Sequence, residues 1–181
     1  FLISITILNL IPEVYEKIGH QAGYYILAGF FLQIIVDFFT KGIEHGHLHF
    51  HEFKKGFPVS VFIALSLHAF IEGLGIGGDA FSEATQNNLV FAIGLHELPA
   101  AFALAVVIKS VFSKEKTNYF WITLYALMVP LGMLIGNQLI DYAEVFSTLI
   151  AVVIGVFLHI STTILFENNE SHSYGKHKLI A

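Results

Sequence analysis

Six long apolar runs, separated by short polar segments, make up almost the whole chain. They cover residues 1–18, 23–43, 57–78, 87–112, 118–139 and 143–166. A helix needs about 20 residues to cross the hydrocarbon core of a bilayer, and most of the runs reach that length. Because the runs lack the short-period alternation of membrane β-barrel strands, helix is favoured over strand. The pattern predicts an all-α, polytopic membrane helix bundle in one transmembrane domain over residues 1–181.

Composition agrees with a membrane-spanning protein. Only 13% of the 181 residues are charged, whereas soluble domains carry about 25%. The chain has no cysteine, which excludes a disulfide framework and thiolate metal ligands. A net charge of −5 without a basic stripe gives no indication of nucleic-acid binding. The lipid bilayer is the expected partner.

The lysines predict the orientation of the bundle. If the six spans alternate in direction, all lysines except Lys17 fall on one side, which the positive-inside rule makes cytoplasmic. The cytoplasmic lysines would be Lys41, Lys54, Lys55, Lys109, Lys114, Lys116, Lys176 and Lys178. The polar segment over residues 44–56 is then a cytoplasmic loop.

The first pair of intramembrane ionisable residues is His68 and Glu72, in "HAFIEGLGIGG". Residues at i and i+4 share one helix face. An ionisable group at mid-bilayer costs about 2.5–3.5 kcal/mol on insertion scales, so it should face a partner, a cavity or an ion. A structural His–Glu hydrogen bond and a divalent-cation site both satisfy that demand. Gly73 and Gly77, which follow, predict the close approach of another helix.

The second pair is His96 and Glu97, in "GLHELPAAFALAV". Pro99 removes a backbone donor and frees the carbonyl of Leu95, so we expect a break in the helix at this point. Two consecutive spans that each carry His and Glu at mid-depth favour a metal or proton site over two unrelated structural pairs. The predicted metal ligands are therefore His68, Glu72, His96 and Glu97.

Other histidines are candidates of lower rank. His159 is another intramembrane histidine, for which a hydrogen bond to a neighbouring helix is favoured over metal binding. Asp37, near the cytoplasmic end of its span, is interpreted as an interface residue or a partner of Lys41. The loop "EHGHLHFHEF" carries alternating histidines, a pattern typical of flexible metal-binding tracts. These are His45, His47, His49 and His51.

Taken together, the motifs resemble those of the ZIP (ZRT/IRT-like) family of divalent-metal transporters. "HAFIEGLGIG" resembles the fourth-helix signature of that family and "GLHELPAAFALAV" the fifth, while "NLIPE" and "GVFLHISTTILFE" resemble parts of the second and seventh helices. The resemblance implies an eight-helix fold with the metal held between the fourth and fifth helices. On that mapping the six spans are helices two to seven, and the first helix and most of the last are missing here.

The resemblance also implies the substrate and the direction of movement. Zinc is the expected cargo, with iron, manganese, cobalt and cadmium as alternatives, carried into the cytoplasm. Ala69 and Ala100 stand where many family members have further metal ligands, which places a second metal position in doubt. A homo-oligomer is left open.

Two readings compete with transport. An intramembrane metalloenzyme, such as a hydrolase, is the first, but "HELPA" fails the H-E-x-x-H pattern because position 100 is alanine. A membrane protein that uses His–Glu pairs only for packing is the second. No enzyme activity is predicted.

Overall fold

A computed structural model describes residues 2–40, 59–78 and 81–166 of the chain. Within these ranges the regular elements are all helical, which confirms the predicted fold class. They are α1 (Leu2–Ile5), a π-helical turn (Thr6–Leu10), α2 (Ile11–Ile18), α3 (Gln21–Thr40), α4 (Val59–Ile76), α5 (Glu83–Val111), α6 (Glu115–Ala126), α7 (Met128–Gln138) and α8 (Ala143–Phe166).

Five helical segments in the described part of the chain are long and apolar enough to cross a membrane. They are Gln21–Phe39, Val59–Ile76, Glu83–Val111, Glu115–Gln138 and Ala143–Thr163. These segments match the last five predicted spans. The first predicted span, 1–18, is helical from Leu2 onward but is not one of the five. Its helix widens into the π turn just before Pro12, which has no N–H to continue the regular hydrogen-bond ladder.

The segment predicted over 118–139 is also interrupted, at Leu127 between α6 and α7. Pro130 lies at the start of α7 and cannot donate a hydrogen bond to the carbonyl of Ala126. Pro130 is therefore the cause of the interruption. The apolar pattern alone did not predict it, because the residues on both sides of Pro130 are apolar.

Small residues bring the helices together in two close pairs. Helix α3 packs against α8, and a Cβ added at Gly29 or Gly155 would overlap the backbone of the other helix. Helix α4 packs against α7, where Gly73 lies on the backbone of Val129. Gly77 likewise lies against α7, so the predicted close approach at the glycine pair is confirmed. Such contacts hold membrane helices together where lipid offers no hydrophobic driving force.

Burial separates the inner and outer faces of the bundle. Helix α4 is the most enclosed of the membrane-length segments, with 61% of the segment Val59–Ile76 buried. Large apolar side chains point outward elsewhere, as expected for a surface that meets lipid acyl chains. The most exposed include Leu8, Tyr24, Phe38, Leu98 and Phe102. Helix α4 thus carries its polar side chains into the interior.

Candidate metal centre

Three of the four predicted transmembrane ligands meet inside the bundle. His68 and Glu72 of α4 and His96 of α5 each offer a ligand atom, and these atoms all lie within 4.8 Å of one another. The His68 Nε2 to Glu72 Oε1 distance is 3.4 Å, and the His96 Nε2 to Glu72 Oε1 distance is 3.9 Å. The side chains of His68 and Glu72 are completely buried, and that of His96 is 6% exposed. We call these three residues the triad.

Glu97 lies beside the triad rather than within it. Its carboxylate accepts a hydrogen bond from the Tyr125 hydroxyl of α6, and its side chain lies against that of Glu72. Two carboxylates in contact repel each other unless a proton or a cation lies between them. Glu97 thus lies next to the triad, and Tyr125 holds it in its present position.

The helix that carries His96 and Glu97 is not broken. Helix α5 continues from Glu83 to Val111 with Pro99 inside it, so the expected break is wrong. Membrane helices tolerate an internal proline when local adjustments or neighbouring groups satisfy the freed carbonyl. The Ser82 side chain accepts a hydrogen bond from the Thr85 N–H and caps the start of α5. His96 and Glu97 thus sit on one continuous element.

His159 lies away from the triad, on α8. Its Nε2 is 2.6 Å from Asp37 Oδ2 on α3, and its ring meets that of Phe30 edge-on with 5.0 Å between centroids. The pairing with a neighbouring helix agrees with the favoured interpretation of His159. Asp37 therefore contacts a side chain of another helix and is more than a residue of the membrane–water interface. Its other proposed partner, Lys41, lies outside the described residues.

No role was predicted from the sequence for Gln33, which connects the triad to the Asp37–His159 pair. Gln33 is completely buried, and its side chain contacts His68 at 3.3 Å and Asp37 at 2.8 Å. The only sequence signal is a polar amide in an apolar span with a carboxylate at i+4, which is the spacing that His68 and Glu72 also show. Tyr125 was missed as well, because a tyrosine in a span is usually an interface anchor.

A cavity of about 210 Å³ lies beside Glu97. Glu97 and Tyr125 line it together with alanines, among them Ala69 and Ala101. Its remaining lining residues are Leu104, Ile122, Ala126 and Val129. The small side chains leave a space large enough for water, and Glu97 and Tyr125 are the lining residues with oxygen-bearing side chains.

The histidine-rich segment cannot be placed relative to this site. His45, His47, His49 and His51 lie outside the described residues, as does the whole of the predicted loop over 44–56. Metal binding there stays a prediction.

The fold and the triad together define a polytopic membrane protein with a buried cluster of nitrogen and oxygen atoms that could hold a metal ion. The sequence profile of the ZIP zinc transporter family matches residues 57–180, which include all three triad residues. The chain belongs to the ZIP zinc transporter family. This is a family of transporters and not of enzymes, so the metalloenzyme alternative is not favoured.

Two curated proteins show the same relationship. Zinc transporter ZIP1 of Danio rerio is 30% identical over 123 residues, which cover 65% of this chain and 40% of that protein. Protein zntD of Dictyostelium discoideum is 30% identical over 150 residues, which cover 73% of this chain and 22% of that protein. The chain thus spans less than half the length of either relative. No solved structure matches it significantly.

Proposed function

We propose that the protein moves a divalent transition-metal cation, zinc by preference, through the triad and into the cytoplasm. The burial of His68, Glu72 and His96 with their ligand atoms within 4.8 Å of one another is the observation that carries this proposal. Ligands about 2.1 Å from a tetrahedral ion lie about 3.4 Å apart, close to the 3.4 and 3.9 Å seen here. Small shifts of the His96 ring would complete three corners of such a site.

A fourth ligand is available in Glu97. Its side chain adjoins that of Glu72, and in this proposal its carboxylate leaves the Tyr125 hydroxyl to complete the coordination of the same ion. Water in the adjoining cavity is an alternative occupant of that position. A carboxylate and two imidazoles suit zinc and also iron, manganese, cobalt and cadmium, whose affinities for such ligands differ. Selection among these metals is therefore a matter of geometry and availability.

Flux measurements test the proposal. The complete protein reconstituted in liposomes should carry Zn²⁺ inward faster than empty liposomes do, and parallel runs with Fe²⁺, Mn²⁺, Co²⁺ and Cd²⁺ would rank the metals. A rate equal to that of empty liposomes for every metal would contradict transport. Peptide or ester hydrolysis that depends on Glu97 would instead support the metalloenzyme alternative.

The proposed direction requires a particular topology, which introduced cysteines can test. Because the 181-residue sequence contains no cysteine, single replacements at Lys54, Lys114 and Glu83 give distinct labelling positions. We expect a membrane-impermeant thiol reagent to label positions 54 and 114 only from the cytoplasmic side and position 83 only from outside. Labelling of positions 54 and 83 from the same side would contradict the predicted alternation of the spans and the mapping built on it.

Metal stoichiometry should show one transmembrane ion per chain. A second ion in the cavity beside Glu97 would find side-chain oxygens only in Glu97 and Tyr125 among the lining residues, because alanine occupies position 69 there and the alanine at position 100 is buried. Any further binding should come from the histidine-rich loop, and deletion of residues 45–51 should remove it and leave one ion, counted by elemental analysis. Two closely spaced ions between α4 and α5 would contradict the single site.

A further inference from the structure

A chain of hydrogen-bonded polar side chains leads from His68 of the triad to His159. His68 Nδ1 lies 3.3 Å from Gln33 Oε1, and Gln33 Nε2 lies 2.8 Å from Asp37 Oδ1. Asp37 Oδ2 in turn lies 2.6 Å from His159 Nε2. The chain connects α4, α3 and α8, and the two members that meet between α3 and α4, Gln33 and His68, are completely buried.

The direction of each hydrogen bond in this chain follows from Asp37. An ionised carboxylate only accepts hydrogen bonds, so the group that Gln33 turns toward it must be the amide NH₂. The amide oxygen then faces His68, and because that oxygen only accepts, the Nδ1 atom of His68 must carry the proton. A neutral imidazole with hydrogen on Nδ1 has its lone pair on Nε2, the atom that faces Glu72 at 3.4 Å.

The α3–α8 contact positions Asp37 so that it can accept the hydrogen bond from Gln33. Gly29 and Gly155 let the backbones of α3 and α8 approach closely, which brings Asp37 to His159. The His159 ring is supported edge-on by Phe30 and lies 3.3 Å from the Thr163 hydroxyl. His159 of α8 therefore orients the Asp37 carboxylate, and that carboxylate orients the side-chain amide of Gln33.

We propose that Gln33 is a positioning residue that sets the tautomer and ring orientation of His68 so that Nε2 can bind the transported cation. This inference rests on the proposed function of the triad. Partners of this kind, which hydrogen-bond to the second nitrogen of a ligating histidine, orient the ring and raise its basicity. Gln33 touches no cation itself and acts only through His68.

Three variants test the inference in the complete protein, with Zn²⁺ affinity measured in nanodiscs. Gln33→Met keeps the side-chain length but removes both hydrogen bonds, and it should weaken Zn²⁺ binding about 10- to 100-fold. Gln33→Glu combined with Asp37→Asn exchanges the amide and the carboxylate. The new Glu carboxylate accepts from His68 Nδ1 and from the new Asn amide, so this double variant should bind much more tightly than Gln33→Met. Gln86→Met is the matched control, because Gln86 also makes two side-chain hydrogen bonds, to the carbonyls of Ile76 and Gly78, and neither involves a triad side chain; its affinity should equal that of the wild type.

A spectroscopic measurement reports the tautomer directly. Nitrogen-15 NMR of histidine-labelled protein, with the His68 signals identified by their loss in His68→Gln, should show hydrogen on Nδ1 and none on Nε2 in the wild-type protein. Gln33→Met should shift His68 toward a mixture of tautomers. Because the wild-type spectrum suffices, the test survives even if Gln33→Met fails to fold.

The outcomes separate this inference from the function on which it rests. Unchanged affinity in Gln33→Met, a double variant as weak as Gln33→Met, or a wild-type His68 protonated on Nε2 would each overturn the positioning role. If His68→Ala removes binding in the same series, the triad stands and only the role of Gln33 fails. If His68→Ala leaves binding unchanged, the proposed metal site itself fails.

Discussion

Replacing Glu72 by glutamine will reduce Zn²⁺ affinity more than about 100-fold and bring flux in liposomes to the background of empty vesicles. The variant keeps the shape of the side chain and removes its charge, at a completely buried position that lies within 3.9 Å of both triad imidazoles. Loss of a group that only supports a ligand weakens metal binding about 10- to 100-fold. Loss of the anionic ligand itself should exceed that range, because the two remaining triad ligands are imidazoles and the Glu97 carboxylate is bonded to the Tyr125 hydroxyl beside them.

Glu144→Gln is the matched control for this variant. Glu144 lies in the first turn of α8 and is exposed, so the same change of charge there should leave affinity and flux at wild-type values. Thermal melting of both variants would exclude unfolding as the cause of any loss. Wild-type affinity in a folded Glu72→Gln protein would remove Glu72 from the site and would contradict transport through the triad.

Replacing Gly155 by leucine will prevent the bundle from folding or destabilise it by at least about 3 kcal/mol. A Cβ at this position would overlap the carbonyl oxygen of Ile26 and crowd the Phe30 nitrogen, and these are backbone atoms that cannot move aside as a side chain can. Overpacking of an interior typically costs about 1–3 kcal/mol and occasionally more, and a backbone obstacle belongs at the upper end of that range. Because α3 also carries Gln33 and Asp37, Zn²⁺ binding should be lost together with the fold.

Gly94→Leu tests the specificity of this effect. A Cβ at Gly94, on α5, would meet nothing within 4 Å, so leucine there should be tolerated or slightly stabilising for the helix. Yield of monodisperse protein and the melting temperature in detergent are the measurements. Equal losses for Gly155→Leu and Gly94→Leu would show that any larger side chain is disruptive and that the α3–α8 contact is not special.

The fold was predictable because the bilayer imposes a simple constraint on the sequence. Every backbone group must be satisfied within the membrane, so long apolar runs become helices, and five of the six predicted spans correspond to membrane-length helices. The irregular places were predicted poorly. Pro12 and Pro130 accompany a π turn and an interruption, whereas Pro99 lies inside an unbroken helix. Whether a proline interrupts a helix depends on what satisfies the freed carbonyl, and that is a matter of tertiary contacts.

The meeting of His68, Glu72 and His96 was predictable for a related reason. Ionisable residues are so unfavourable in lipid that their presence at mid-span, at helical spacing, almost requires them to face one another. Glu97 was predicted as a fourth ligand, and the structure places it beside the three with its carboxylate bonded to Tyr125. Its place in the metal site stays a prediction.

The support behind the triad was not predictable from one sequence. Gln33 lies 35 positions before His68 and Asp37 lies 122 before His159, and no local periodicity links residues so far apart. Gln33 and Asp37 share the i, i+4 spacing, but this does not reveal which neighbouring helix they face. The facing of α3 depends on which helix its glycines pack against. The sequence does not give that partner, which is known only from the packed structure.

The location of the bound ion is the most direct test of the central claim that the triad binds the transported cation. Anomalous X-ray scattering at the zinc edge, from crystals of the complete protein grown with Zn²⁺, would show it. We expect a single peak in the membrane-spanning helices, about 2.0–2.2 Å from His68 Nε2, a Glu72 oxygen and a nitrogen of His96. Zinc bound elsewhere among these helices, with none at the triad, would contradict the claim.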